Sequence, residues 1–315
     1  MTRKNYLPED IQRKIYKTRQ TRGAEDDEVY QNRVSRNSTV LIFFQDYEKY
    51  RKLNISYDNG FIVLISPKDY FSNKAYLYPE LVLGKNLLVL YETRNQWNDY
   101  PIPKKWMPAQ SRKSPLGGQY IARVPALTSH ENGQRIFEGY TSTKTKGAGI
   151  RVYEYAGSNT LNECELQLRF LFWHCHDIDA FITSDENALQ LKEQKKYDIA
   201  LAKKLKLANL QKLKKARMLN AAGHTICPLC LKEISSFSFA KKMSQSTGRH
   251  VPDSTVTEIS LFHIRELRFG EFNHKTYNLG WGHHHCNVVV KDSGIENTLK
   301  WMQEVLNDNA RLLEQ

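Results

Sequence analysis

Four residues in two pairs carry the plainest chemistry. Cys227-Pro228-Leu229-Cys230 is a CxxC pair, and His283-His284-His285-Cys286 forms an HxxC pair whose cysteine lies 56 residues beyond Cys230. A two-residue spacer lets both donors of a tight turn point at one ion. Three thiolates and one imidazole make a tetrahedral set that suits structural zinc. The expected ligands are Cys227, Cys230, His283 and Cys286, the spacing favouring His283 over His284 or His285. The five cysteines, an odd number, argue against a disulfide framework and favour metal binding for the clustered three. A second dense stretch, Trp173-His174-Cys175-His176-Asp177, has no matching half, and alternating residues of a strand face opposite sides. It reads as a partly buried aromatic segment.

Between the two pairs, residues 256–264 are strand-like and end in His263-Ile264. A loop then leads to Tyr277-Asn278-Leu279, and Asn287 directly follows Cys286 at the opening of a helix-compatible stretch. A CxxC, a strand ending in His-Ile, an Asn-Leu, a ligand pair and a Cys-Asn, with 24 residues from His263 to Asn287, is similar to the HNH (ββα-metal) endonucleases with a zinc knuckle. The resemblance covers about 70 residues and implies roles. His263 would be the general base that takes a proton from the attacking water, work that suits a neutral imidazole near pH 7. Asn287 would offer an oxygen to a catalytic divalent ion, Mg²⁺, that stabilises charge on the phosphate. Asn278 would hold the hairpin loop and so orient the histidine. Arg265 and Arg268 would contact phosphate oxygens. One position departs from the pattern: Phe262 stands where most of the family has a metal-binding Asp, and a phenyl ring cannot ligate Mg²⁺. Glu258, Glu266 or Asp292 would then substitute, or Asn287 and substrate would hold the ion, or the module would only bind DNA. The usual lysine after the Cys-Asn step is displaced to Lys291.

Three zones must position these residues. Residues 1–185 are a β-rich mixed domain assigned to DNA recognition and dimerisation, with strand-like runs at Phe61-Ile62-Val63-Leu64-Ile65, Leu81-Val82-Leu83, Leu87-Leu88-Val89-Leu90-Tyr91 and Ile150-Arg151-Val152-Tyr153-Glu154-Tyr155. Asp58-Asn59-Gly60, Gly84-Lys85-Asn86, Ser114-Pro115-Leu116-Gly117-Gly118 and Lys146-Gly147-Ala148-Gly149 punctuate them. Residues 166–182 fit a helix or a strand. Residues 186–222 contain no Gly or Pro and read as one long linker helix that ends at Gly223. Residues 192–217 hold ten Lys or Arg against two acids, so Lys203 and Lys206 are candidate phosphate contacts, with a solvated connector as the bland alternative. Residues 223–315 form the nuclease module, closed by a packing helix from Gly294. The fold class is therefore α+β.

The net charge of +12, from 46 basic and 34 acidic residues, favours a polyanionic partner such as nucleic acid. No apolar run approaches the ~20 residues of a membrane span. The basic, polar start carries no secretory signal, which points to the cytoplasm. A large domain without repeats beside one nuclease module suits a type II restriction endonuclease reading double-stranded DNA. The stretches Arg13-Lys14-Ile15-Tyr16-Lys17-Thr18 and Asn59-Gly60-Phe61-Ile62-Val63 resemble the BstXI type of such enzymes. That resemblance implies a homodimer, since a palindrome has two equivalent halves. Two further readings stand beside it. One is a modification-dependent nuclease with an aromatic pocket (Trp97, Tyr100, Trp106) for a flipped base. The other is a zinc-containing DNA-binding protein without catalysis, suggested by Phe262.

Overall fold

Phe61–Ile65 and Leu87–Tyr91 are apolar at every position. An unbroken apolar run is the mark of a strand covered on both faces, and such strands run parallel with helices between them. The computed structural model describes residues 5–22, 33–110, 117–125, 134–139, 149–243, 257–291 and 293–313. Two compact units divide the chain: residues 20–157, and residues 1–19 together with 158–315.

The chain starts with α1 (Glu9–Tyr16), which belongs to the second of these units. In the first unit, β1 (Gln20–Arg22) and β2 (Arg33–Ser35) pair antiparallel. Strands and helices then alternate as β3 (Val40–Phe43), α2 (Phe44–Lys52), β4 (Phe61–Ile65), α3 (Pro67–Phe71), β5 (Leu87–Tyr91), α4 (Arg94–Asp99) and β6 (Tyr120–Val124). Next come β7 (Ile136–Glu138) and β8 (Ile150–Arg151). The six-stranded sheet has the order β7-β6-β5-β4-β3-β8, parallel throughout except for β7. Local chemistry starts the connecting helices. Ser66 accepts a hydrogen bond from the Asp69 amide (3.1 Å) ahead of Pro67, and Thr93 and Gln96 form a reciprocal capping box.

The mixed N-terminal domain expected from the sequence has mostly parallel strands with helices alternating between them. Leu81-Val82-Leu83 is no strand: only Leu83 bridges, to Leu87, and Gly84 at φ +81° turns the chain straight into β5. The run from Ile150 leaves the sheet after Arg151 and winds into a short 3-10 turn, Val152–Glu154. The turn positions 114–116 and 146–148 lie outside the described residues.

The second unit settles the ambiguous run as helix, with α5 (Ser158–Phe172) followed by α6 (Ile178–Ser184). The single long helix expected over 186–222 is two helices, α7 (Ala188–Lys204) and α8 (Leu210–Lys215). Between them Lys206 takes φ +59°, which lets Leu207 turn into the core at 4% exposure. Asn209 then caps α8 by accepting from the Lys212 amide (3.0 Å). Burial of one leucine thus overrides the local helical pattern. Nor are residues 186–222 a bare linker, because Leu191, Ala202, Leu207 and Leu213 join the same buried cluster as Trp281 and Phe262. The boundaries expected at 185 and 222 therefore do not coincide with those of the compact units.

The antiparallel hairpin β9 (Ile259–His263) and β10 (Leu279–His283) runs directly into α9 (His284–Val290), and α10 (Gly294–Leu313) follows. The Trp281 indole donates to the Leu168 carbonyl (2.9 Å) and anchors β10 on α5. The buried Lys14 ammonium of α1 donates to Thr257 Oγ1 and to the Ile259 carbonyl (3.0 Å), tying the start of β9 to the N-terminal helix. Phe262 is 0% exposed and pairs with Gly280 across the ladder. A Cβ on Gly282 would stand 2.5 Å from the Phe262 ring, so glycine there makes room for it. Phe262 is thus a core residue seated over Gly282, in no position to be exchanged for a metal-binding carboxylate. Phe262→Asp is expected to destabilise the protein by roughly 2–5 kcal/mol, from poorer packing plus an unpaired buried polar group. Urea unfolding would measure this, and an unchanged midpoint would refute the packing role.

Candidate functional site

The two cysteine-containing pairs meet. The CxxC sits in a tight turn in which the Leu231 amide donates to the Cys227 carbonyl and the Cys227 amide to the Lys232 carbonyl, both at 2.9 Å. Leu231, at φ +60°, completes the reversal. Arg217 donates from Nε to the Pro228 carbonyl (2.7 Å), so this member of the basic stretch braces the turn and is not a free phosphate contact. The other pair spans the junction of β10 and α9, with His283 ending the strand and Cys286 one turn later. The donor atoms of Cys227, Cys230, His283 and Cys286 all lie within 4.8 Å of one another. His283 Nδ1 is 3.2 Å from the Cys230 sulfur. Burial, then the facing Cys227 and Cys230, push the Cys286 thiol well above its ordinary pKa. As thiolates the three would repel one another unless a cation lay among them, and an S₃N set of this kind, two members buried and two half-buried, suits zinc. Among the described residues this is the one group of three or more His, Cys, Asp or Glu able to hold a metal. His284 and His285 are not in it. The His284 amide donates to the Glu258 carbonyl (2.8 Å), and the His285 ring stacks on His283 at 5.6 Å.

His263 ends β9 half-buried, and its Nε2 lies 3.1 Å from Nδ1 of His274, a residue only 2% exposed. Asn278 closes the intervening loop. Its Oδ1 accepts from the Arg265 amide (2.8 Å), and its Nδ2 donates to the carbonyls of Arg265 (3.0 Å) and Asn273 (2.6 Å). Asn273 in turn donates to the Glu266 carbonyl (2.9 Å) and the Glu271 carboxylate (2.8 Å). Asn287 is half-buried in the first turn of α9. It does not open that helix, which starts three residues earlier because β10 passes straight into it.

The acids expected to stand in for an Asp at position 262 are largely engaged. Glu258 accepts from Ser238 (2.7 Å) and pairs with Lys241 (2.6 Å); burial opposes its charge, but these partners outweigh it and keep its pKa below the ordinary value. Glu266 and Glu271 flank Arg268, whose guanidinium is thereby committed within the loop, while Arg265 projects into solvent. Asp292 lies outside the described residues.

Lys203 and Lys206 are exposed near the α7–α8 break, and no acid pairs with either among the described residues. The loop leading to β10 reaches this break through Tyr277. Its hydroxyl donates to the Lys206 carbonyl (2.7 Å), and Lys212 lies over its ring at 5.6 Å. Sequence reasoning gave Tyr277 and Lys14 no such role and did not pair His274 with His263, since none of these contacts follows from a motif spacing. The segment from Trp173 to Asp177 makes hydrogen bonds to its surroundings: Trp173 to Asp198 (3.0 Å), His174 to the Phe170 carbonyl (2.7 Å), and Asp177 from the Ser236 amide (2.7 Å). In the other unit, Phe71 stacks on both Tyr100 and Trp106, and Trp97 packs edge-on to Tyr91.

The sequence profile of the BstXI restriction endonuclease family matches residues 13–284, which spans both units and includes Cys227, Cys230, His263, His274, Asn278 and His283. The chain belongs to this family. Restriction endonucleases are DNA-cleaving hydrolases, double-stranded DNA is the partner they imply, and a divalent metal is their usual requirement. No curated protein matches the sequence significantly. A solved structure described as a type II restriction endonuclease aligns over 50% of this chain at 15% identity, with a TM-score of 0.28. The chain covers 57% of that relative's length, a likeness too distant to argue the fold from. No helix among the described residues is long and apolar enough to cross a membrane.

Removal of one thiolate should open the cluster. Cys227→Ser and Cys286→Ser are expected to abolish tight binding of one zinc per chain and to lower the melting temperature sharply, because binding energy at such sites, ~10 kcal/mol or more in zinc-finger peptides, is folding energy. Metal analysis after gel filtration checks it; folded protein without zinc would refute the assignment.

Proposed function

We propose that the chain is a sequence-specific endonuclease of double-stranded DNA whose ββα element, β9–β10–α9, is an HNH-like catalytic module on a structural zinc. The observation that carries this reading is the position of His263 at the end of β9, beside a loop pinned by Asn278 and next to a helix that bears both Cys286 and Asn287. His263, in its neutral form, accepts the proton of the water that attacks the scissile phosphorus. Asn278 keeps the loop closed. Cys227, Cys230, His283 and Cys286 hold zinc and fix the β10–α9 junction, so that Asn287 stands on a rigid support. Asn287 is the residue proposed to offer an oxygen to Mg²⁺, which when bound would neutralise charge building on the phosphate.

Arg265, Lys203 and Lys206 supply positive charge for backbone phosphates; Arg268 serves instead to pair Glu266 and Glu271. The unit of residues 20–157 is assigned to recognition of the site. With one active site per chain, cutting both strands of a symmetric site calls for two copies, and a homodimer is the proposed working form.

His263→Ala is expected to lower plasmid cleavage by about 10²–10⁴-fold while zinc content, folding and specific DNA binding persist. Near-normal cutting by that variant would sink the assignment of the base. Asn287→Ala should raise the Mg²⁺ concentration needed for half-maximal cleavage. For the basic break, Lys203→Ala with Lys206→Ala should weaken all DNA sequences alike. The slope of log K against log salt should fall by ~0.9 for each phosphate that is no longer neutralised. An unchanged slope would make α7–α8 scaffold only.

A further inference from the structure

We infer that His274 is the positioning residue of the base, accepting a hydrogen bond from Nε2–H of His263 and so assigning proton abstraction to Nδ1 of His263. The inference rests on the proposed role of His263 and extends it to a residue outside the HNH-like motif. The two nitrogens are 3.1 Å apart, a hydrogen-bond distance, and the ring centroids are separated by 5.3 Å.

A hydrogen bond between two neutral imidazoles has two senses. If His274 Nδ1–H donated, the Nε2 lone pair of His263 would be consumed and its Nδ1 would carry the proton, leaving the ring no lone pair with which to act as a base. If His263 Nε2–H donates, its Nδ1 bears the lone pair and the ring is a base. Only the second sense is compatible with catalysis by His263. After Nδ1 accepts the water's proton, the imidazolium keeps Nε2–H directed at the lone pair of His274, and that acceptor stabilises the charge just formed. The arrangement parallels a carboxylate behind a catalytic imidazole, with a neutral acceptor in place of an anion.

His274 is held to this task from both sides in the chain. Its predecessor Asn273 is buried and bonded to Glu266, Glu271 and Asn278, and the Lys275 amide donates to the Asn273 carbonyl (3.0 Å). Packed at 2% exposure, the His274 ring cannot swing away without opening the loop. Asn278 thus acts on the base through Asn273 and His274 in series.

The test compares His274→Phe, which keeps a flat ring but has no acceptor, with His274→Asn, whose side-chain oxygen reaches the position of Nδ1. In the full-length protein with Mg²⁺ and a plasmid substrate, His274→Phe should lose about 10–100-fold in kcat with KM changed less than about threefold, the range seen when an outer partner of a working imidazole is removed. His274→Asn should recover most of that loss. Nitrogen NMR of the wild-type protein, labelled at histidine, should find Nε2 of His263 protonated and Nδ1 bare in the resting state. Equal kcat in His274→Phe and wild type, equal loss in both variants, or a resting His263 protonated at Nδ1 would each overturn the inference. A fully active His263→Ala would instead overturn the base itself, so the two failures are distinguishable.

Discussion

Asn278 is a buried amide with three hydrogen bonds, and the candidate site depends on all three. The chain leaves β9 at His263 and re-enters the hairpin at Leu279. A connection of that length has a large closure entropy, and nothing in its own sequence forces a regular turn. One side chain, satisfying an amide and two carbonyls that would otherwise be stranded in the interior, converts the loop into a fixed shelf. His274 sits on that shelf and Arg265 leaves from it. An alanine at 278 would strand those groups, and the pair of imidazoles would lose its register before any catalytic atom had been altered.

The hairpin adds a second constraint, from strand alternation. Phe262 and its cross-strand partner Gly280 share one face, while Leu261, His263 and Trp281 share the other. Gly282 of β10 accommodates the phenyl ring, and the Trp281 indole locks the opposite face against α5. A shift of one residue in register would move the phenyl ring off Gly282 and turn His263 to the wrong side. The packing of two aromatic side chains therefore determines where an imidazole points.

Much of this was legible in the sequence, for identifiable reasons. Metal-ligand pairs are local, so the spacing in CxxC and HxxC selected four residues whose donor atoms the fold does bring together. Phe61–Ile65 and Leu87–Tyr91 announced themselves by unbroken apolar character, and the helix from Gly294 by its periodicity. What stayed hidden was set by partners distant in the chain. Nothing near Lys206 signals a break; the helix stops because Leu207 finds a buried place and Tyr277, 71 residues on, grips the Lys206 carbonyl. Phe262 looked like a missing ligand until the fold placed its ring against Gly282. His274 occupies no motif spacing, and only the folded loop brings it to His263. The division of the chain was invisible for the same reason, since no periodicity tells that α1 belongs with residues 158–315.

That division has a bearing on how the protein comes into being. Lys14 emerges from the ribosome early, yet the atoms it must grip, on Thr257 and Ile259, are made 243 and 245 residues later. Residues 20–157 are continuous in the chain, whereas the unit carrying His263 joins residues 1–19 to residues 158–315. A product interrupted before residue 257 would lack both the partners of Lys14 and the β9–β10 hairpin. Chain order thus separates the two units in time as well as in sequence: the hairpin that carries His263 gains its N-terminal brace only after residue 259 has been made.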